Sequence, residues 1–220
     1  MDKIINYRKI RKLQNSNFLR GKKIGTAGDS ITKGINPNDG IFVNYGELVA
    51  DRNGMTYRNY GIPGSTLSNV VDKNPFCVDR YLAMDNDLDY LTIWFGWNDS
   101  AYSTLGAITD TVDTTFYGAW NKVLPALIQK YPFGKIGLIV PYLTNTDMQQ
   151  AVRNISKKYG VPYLDLESTN VPMIWLRNDA DVDTAIEDFR RGTFTYDGTH
   201  LNQNGYNYMS TFYEIFLRSL

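Results

Sequence analysis

In 220 residues the sequence holds one cysteine, one histidine and no net charge. Each shortage excludes something. Cys77 has no second cysteine to close an internal disulfide, and it reads as a small apolar filler. With His200 the only imidazole, no Cys/His cluster exists from which a conventional zinc site could be built. The 23 basic and 23 acidic side chains are mixed along the chain, so no broad basic face is available for a phosphate backbone. Nucleic acid is therefore not an expected partner, and the 14% aromatic content is assigned to core packing and pocket walls rather than base stacking. No apolar run is long enough to span a bilayer, and the stretch from Met1 to Leu19 lacks the apolar centre of a signal peptide. The expectation is a soluble chain, cytoplasmic as made. Repeats and low-complexity tracts are also missing.

What is present is an ordinary globular composition, 43% apolar and 21% charged, at a length that suits one well-buried core. Segments rich in β-branched residues alternate with helical patterns, which predicts an α/β domain with a mainly parallel sheet. The strands are expected at 23–27, 56–60, 90–95, 135–140 and 161–166. A helix is expected over 146–160, with Thr146 and Gln149 as a capping box and Gly160 at its end. Phe116, Trp120, Val123, Leu127 and Tyr131 mark another, in which Pro125 predicts a kink or a break. A last helix from about Gln203 to Leu217 carries Tyr206, Met209, Tyr213 and Phe216 on one face, read as core. Residues 1–22 are taken as an extension and 23–220 as the domain. The acidic run 179–188 is read as a solvated helix face, not a metal site.

Ligands of a doubly wound sheet bind beyond the carboxyl ends of its strands. Four clusters of Gly, Ser, Asn and His fall where those ends are expected or just before the last helix. Gly28-Asp29-Ser30 follows the first strand and places a hydroxyl where free backbone N–H groups favour negative charge. Asn59 to Thr66 follows the second strand, and there Gly64 can offer a backbone N–H unobstructed by a side chain. Gly96-Trp97-Asn98-Asp99 follows the third strand and adds an amide donor. Asp197-Gly198-Thr199-His200 supplies the sole imidazole, with a carboxylate three residues earlier that can reach its far ring nitrogen. Singly, each cluster is also an ordinary turn. In this order and placement they point to a serine nucleophile, its base, an orienting carboxylate and donors for an oxyanion.

On these four blocks the chain resembles the GDSL/SGNH hydrolase superfamily, from about Lys23 to the C-terminus. The resemblance implies a flavodoxin-like three-layer fold with about five parallel strands. It implies Ser30, Asp197 and His200 as the catalytic residues, and Ser30, Gly64 and Asn98 as the oxyanion hole. It further implies two-step acyl transfer on an ester, without metal or organic cofactor. Asn98-Asp99-Ser100 matches a glycosylation acceptor pattern, but a glycan there would block the proposed donor.

The superfamily does not name the substrate. The polar character of 168–194 argues against a lipase lid, and Asp29, Trp97, Tyr102 and Trp175 are the candidate substrate contacts. The expected substrate is a small acyl ester, most simply an O-acetyl group on a carbohydrate. The alternatives are a lipase, lysophospholipase or thioesterase taking longer acyl chains, and a non-catalytic glycan-binding module. The entry through Lys22-Lys23 is similar to that of SGNH domains from bacteria and their phages, which implies a cell-surface or phage-associated setting.

Overall fold

The computed structural model describes residues 17–38, 40–142, 146–168 and 183–220. Five parallel strands form the central sheet: β1 (Lys23–Gly28), β4 (Thr56–Asn59), β5 (Tyr90–Trp94), β6 (Lys135–Val140) and β7 (Tyr163–Asp165). Their order is β4-β1-β5-β6-β7. Between β1 and β4 the chain makes a small antiparallel ribbon from β2 (Ile35–Asn36) and β3 (Gly40–Ile41). All five expected strands are found, within a few residues of their expected ends.

The sheet is parallel because its inner strands are apolar on both faces. Every residue of β5 is buried, and every residue of β6 after Lys135. Alternation along β5 then divides the core in two. Leu91 and Ile93 join one cluster with α4 (Phe116–Lys130), α5 (Thr146–Tyr159) and a π-helical turn at Phe76–Arg80. Tyr90 and Trp94 join the other with α2 (Tyr45–Asn53) and α7 (Gln203–Ser219). Two short helices, α1 (Ser30–Lys33) and α3 (Trp97–Tyr102), stand at carboxyl ends of strands, and α6 (Thr184–Phe194) precedes α7. The result is a three-layer α/β fold. Leu19, ahead of the sheet, is already fully buried in the second cluster.

Three local expectations need adjustment. Pro125 does not break its helix: α4 runs from Phe116 to Lys130 with the proline inside. An interior proline costs about 3 kcal/mol. The burial of Phe116, Trp120, Val123, Leu124 and Leu127 on that helix outweighs it, at about 1.5–3 kcal/mol for each large apolar side chain. Thr146 is the first residue of α5 rather than its cap, while Gly160 closes the helix in the left-handed conformation as expected, at φ 66°. In the acidic run, Asp183 caps α6 through the N–H groups of Ala185 and Ile186 and the neighbouring side chains are exposed, but Glu187 is buried. Residues 179–182 of that run lie outside the described residues. Among the described residues, no helix is long and apolar enough to cross a membrane.

Candidate active site

The strand order fixes where a ligand can sit. β4 and β5 flank β1 on opposite sides, so the connections leaving these strands part above β1 and open a crevice at their carboxyl ends. Asp29 and Ser30 follow β1 immediately. Asp29 caps α1, its Oδ1 accepting the N–H of Ile31 at 3.0 Å, which leaves Ser30 as the first helical residue with a backbone N–H that no preceding turn uses. Gly28 is required by close approach: a Cβ there would stand 2.1 Å from Thr32 Oγ1 and 2.6 Å from the Trp94 carbonyl.

Ser30 Oγ lies 2.9 Å from His200 Nε2, and His200 Nδ1 lies 2.7 Å from Asp197 Oδ2. The other carboxylate oxygen of Asp197 accepts the N–H groups of Thr199 and His200, at 2.9 and 2.7 Å, closing a tight turn around Gly198. Burial would raise the Asp197 carboxyl, but the bonds from the His200 ring, the His200 N–H and the Thr199 N–H outweigh it and hold the group below its ordinary range. An ionised carboxylate at Nδ1 assigns the imidazole proton to that nitrogen, so Nε2 is the acceptor facing the serine hydroxyl.

On the other side of the crevice, Asn98 is the second residue of α3. Its Nδ2 donates to the Ser65 carbonyl at 2.9 Å and stands 3.5 Å from Asp29 Oδ2. Ser65 also bonds back to the end of β1, its Oγ donating to the Gly28 carbonyl at 3.2 Å. Gly64, next to it, has φ 72° and open space where a side chain would point. Among the described residues its N–H donates to nothing. Burial pushes the Asp29 carboxyl up to about 7, against the pull of its bond from Ile31. Asp99 is raised by burial too, although it accepts from the N–H groups of Leu67 and Ser68 and from Ser68 Oγ. A hydroxyl bonded to an imidazole, beside unspent N–H donors, is the equipment of acyl transfer.

The sequence profile of the GDSL-like lipase/acylhydrolase family matches residues 26–208, which takes in every one of these groups. The chain belongs to that family. Among solved structures, this GDSL-like chain is similar to a protein from Lactobacillus plantarum at 27% identity and a TM-score of 0.72, over 91% of this chain and 98% of that one. A lipase/acylhydrolase from Enterococcus faecalis aligns at 18% identity and TM-score 0.59, over 90% and 96%. An acetyl xylan esterase from Geobacillus stearothermophilus aligns at 16% and 0.57, over 91% and 97%. At those lower identities the likeness is one of fold. No match was found among curated proteins.

Of the other residues singled out in this GDSL-like sequence, Trp97 opens α3 half-buried, and its carbonyl accepts from Ser100 Oγ. Tyr102 ends the same helix exposed, with the Lys73 ammonium 3.7 Å from its ring centroid, so one ring face is occupied. Trp175 lies outside the described residues. Sequence reasoning missed the supports. Tyr196 stacks on His200 with ring centroids 5.6 Å apart and planes 12° from parallel, and Phe42 stands behind it. Tyr142 Oη donates to the Thr199 carbonyl at 2.6 Å, and Tyr206 Oη to the Ile31 carbonyl at 2.7 Å. Asn59 Nδ2 reaches the carbonyls of Thr32 and Lys33 at the end of α1. Among these, Asn59 and Asp99 stand within the four clusters, but neither is read there as a support. A cavity of about 460 Å³ near Tyr131, Lys135 and Tyr159 lies at the amino ends of β6 and β7, the wrong end of the sheet for this chemistry.

Proposed function

We propose that this GDSL-like chain is a serine ester hydrolase working through an acyl-enzyme, with residues 23–220 as its catalytic domain and 1–22 as an extension. The observation that carries the reading is the unbroken chain of hydrogen bonds from Ser30 through His200 to Asp197. Ser30 Oγ attacks the ester carbonyl as its proton passes to His200 Nε2. The carbonyl oxygen takes up negative charge and is held by the N–H groups of Ser30 and Gly64 and the amide of Asn98. As the tetrahedral centre collapses, the ester C–O bond breaks and His200 returns the proton to the departing alcohol. Water then repeats the sequence on the acyl-serine and releases the acid.

The substrate we favour is a small acyl ester, an O-acetyl group on a carbohydrate. The polar composition of 168–194 supports it, as do Trp97, Tyr102 and Trp175, aromatic candidates for a sugar face. Asp29, buried and 3.5 Å from Asn98 Nδ2, is the remaining candidate contact. The acetyl xylan esterase of the same fold is a precedent for such a substrate. A second reading, a lipase or thioesterase for longer acyl chains, is favoured by the exposed Ile41 and Val43 on either side of Phe42, beside Tyr196. Initial rates on p-nitrophenyl acetate, butyrate and octanoate, and on acetylated xylan, separate the two, with Ser30→Ala as the blank. Acetate preference with release from xylan is the expected result. Octanoate preference moves the assignment to the second reading, and rates no higher than the blank throughout overturn both.

A further inference from the structure

The loop that carries Gly64 is fastened at several points, and one fastening comes from outside the motif blocks. Arg80 ends the π-helical turn Phe76–Arg80. Its Nη2 donates to the Tyr60 carbonyl at 2.8 Å and its Nη1 to the Asn74 carbonyl at 2.7 Å. Those two carbonyls bracket the segment that contains Gly64 and Ser65. Its far half is folded back on itself by bonds from Thr66 N–H to Lys73, Phe76 N–H to Thr66 and Cys77 N–H to Leu67. Asn74, whose carbonyl Arg80 grips, and Asp72 are the only non-glycine residues with positive φ among those described, at 45° and 63°. Such conformations persist where the surroundings hold them.

The guanidinium is also unusual in what it lacks. Among the described residues, no carboxylate lies within ion-pair reach of it. It lies 5.4 Å from the Phe76 ring centroid, partly withdrawn from water, and Asp29 is the acidic group whose field it feels. Burial draws its proton affinity down to about 10, so it remains charged at neutral pH. The two bonds leave from different terminal nitrogens of one rigid plane, a geometry that a single lysine ammonium does not match.

Building on the ester hydrolase reading above, we propose that Arg80 is a positioning residue for the oxyanion site. By gripping Tyr60 and Asn74 together, it sets the direction in which the Gly64 N–H and the Ser65 carbonyl face Asn98. Arg80 does not touch the reacting atoms; it acts through the loop. Its loss therefore lowers the rate of the chemical step while leaving ground-state binding close to unchanged.

The test is steady-state kinetics on p-nitrophenyl acetate for Arg80→Ala and Arg80→Lys, with Ser30→Ala alongside and melting curves for each protein. In Arg80→Ala, kcat is expected to fall at least tenfold with KM within about twofold, and millimolar ethylguanidinium is expected to restore part of kcat. Arg80→Lys, which keeps the charge and most of the stem, is expected to stay near the wild-type melting temperature with kcat still depressed. Wild-type kcat in Arg80→Lys overturns the clamp, because charge alone would then suffice. A loss in Arg80→Ala that falls on KM, or that ethylguanidinium leaves untouched in a folded protein, overturns it as well. If Ser30→Ala keeps full activity, the underlying ester hydrolase reading has failed; if Ser30→Ala is dead and the Arg80 variants are normal, only the clamp has.

Discussion

The two walls of the crevice are built differently. On the donor side, Ser30, Gly64 and Asn98 follow the carboxyl ends of β1, β4 and β5, laced together by Asn98 to Ser65, Ser65 to Gly28 and Asp99 to Leu67 and Ser68. On the base side, Asp197 and His200 occupy a turn between α6 and α7, with the Asp197 side chain 41% exposed and that of His200 20% exposed. That turn hangs from Tyr142, from Arg191 Nε donating to the Gly198 carbonyl, and from Asn202 donating to Thr193 and Thr195. The contrast suits the division of labour that the proposed ester hydrolysis requires. Oxyanion donors stabilise charge only if they are fixed beforehand, whereas the imidazole must take up and hand on a proton within reach of water.

Substitutions across the two walls can break this contrast. The largest expected effect is at the point where they meet: Ser30→Ala or His200→Ala should lower kcat by several powers of ten, measured on p-nitrophenyl acetate. Asn98→Ala should cost about a hundredfold to a thousandfold in kcat with little change in KM. A loss of less than tenfold would mean that the donor wall is not where charge develops. Asp99→Ala strips the partners from two buried N–H groups and a hydroxyl, and should cost about 3 kcal/mol of stability. For a chain of this size, that is a fall of roughly 6–12 °C in melting temperature.

Asp29 gives a smaller and pH-dependent effect. Its carboxyl binds a proton more tightly in the folded chain, at about 7, than in the unfolded one, near 3.8. Its contribution is thus fully present below about pH 4 and is lost as pH rises through about 7. Asp29→Asn remains neutral and can still cap α1. The melting temperature of the variant should gain on that of the wild type between pH 5 and pH 8, and a gap that narrows with rising pH would refute the burial argument. The smallest effects separate the walls most finely. Tyr206→Phe and Tyr142→Phe should each cost about 1 kcal/mol of stability. Only Tyr142→Phe should lower kcat noticeably, by a few-fold, because its bond falls on Thr199, the residue before His200 in a partly exposed turn, whereas Tyr206 bonds the Ile31 carbonyl of α1, which Asn59 and Asp29 also hold.

How much of this was legible beforehand follows from the range of the interactions. The middle of the sheet was readable because β5 and β6, buried on both faces, are written as local apolar runs. The crevice was readable because its Gly, Ser and Asn residues follow the expected strands and its His stands just before the last helix. The β2–β3 ribbon and the π-helical turn carry no comparable periodicity, being held by backbone bonds to nearby irregular chain. Val43, just past β3, exchanges both of its backbone bonds with the side chain of Gln203, 160 positions away, which no local pattern announces. Tyr206 was legible as core but not as the donor to Ile31, because spacing reports which face of a helix is buried and nothing about where a hydroxyl at its edge will land. Pro125 produced no break for the converse reason, its local penalty being set against a buried face that the local pattern undervalues.

The solitary imidazole has a practical corollary. Since His200 is the only histidine of the chain and sits between Ser30 and Asp197, a nitrogen-labelled sample will give one pair of ring resonances, assigned without mutagenesis. Tautomer, protonation and the bond to the serine each displace that pair differently. On the ester hydrolase reading proposed above, a single spectrum would then distinguish free enzyme, acyl-enzyme and inhibited enzyme, with the reporter at the atom where the proposed mechanism moves the proton.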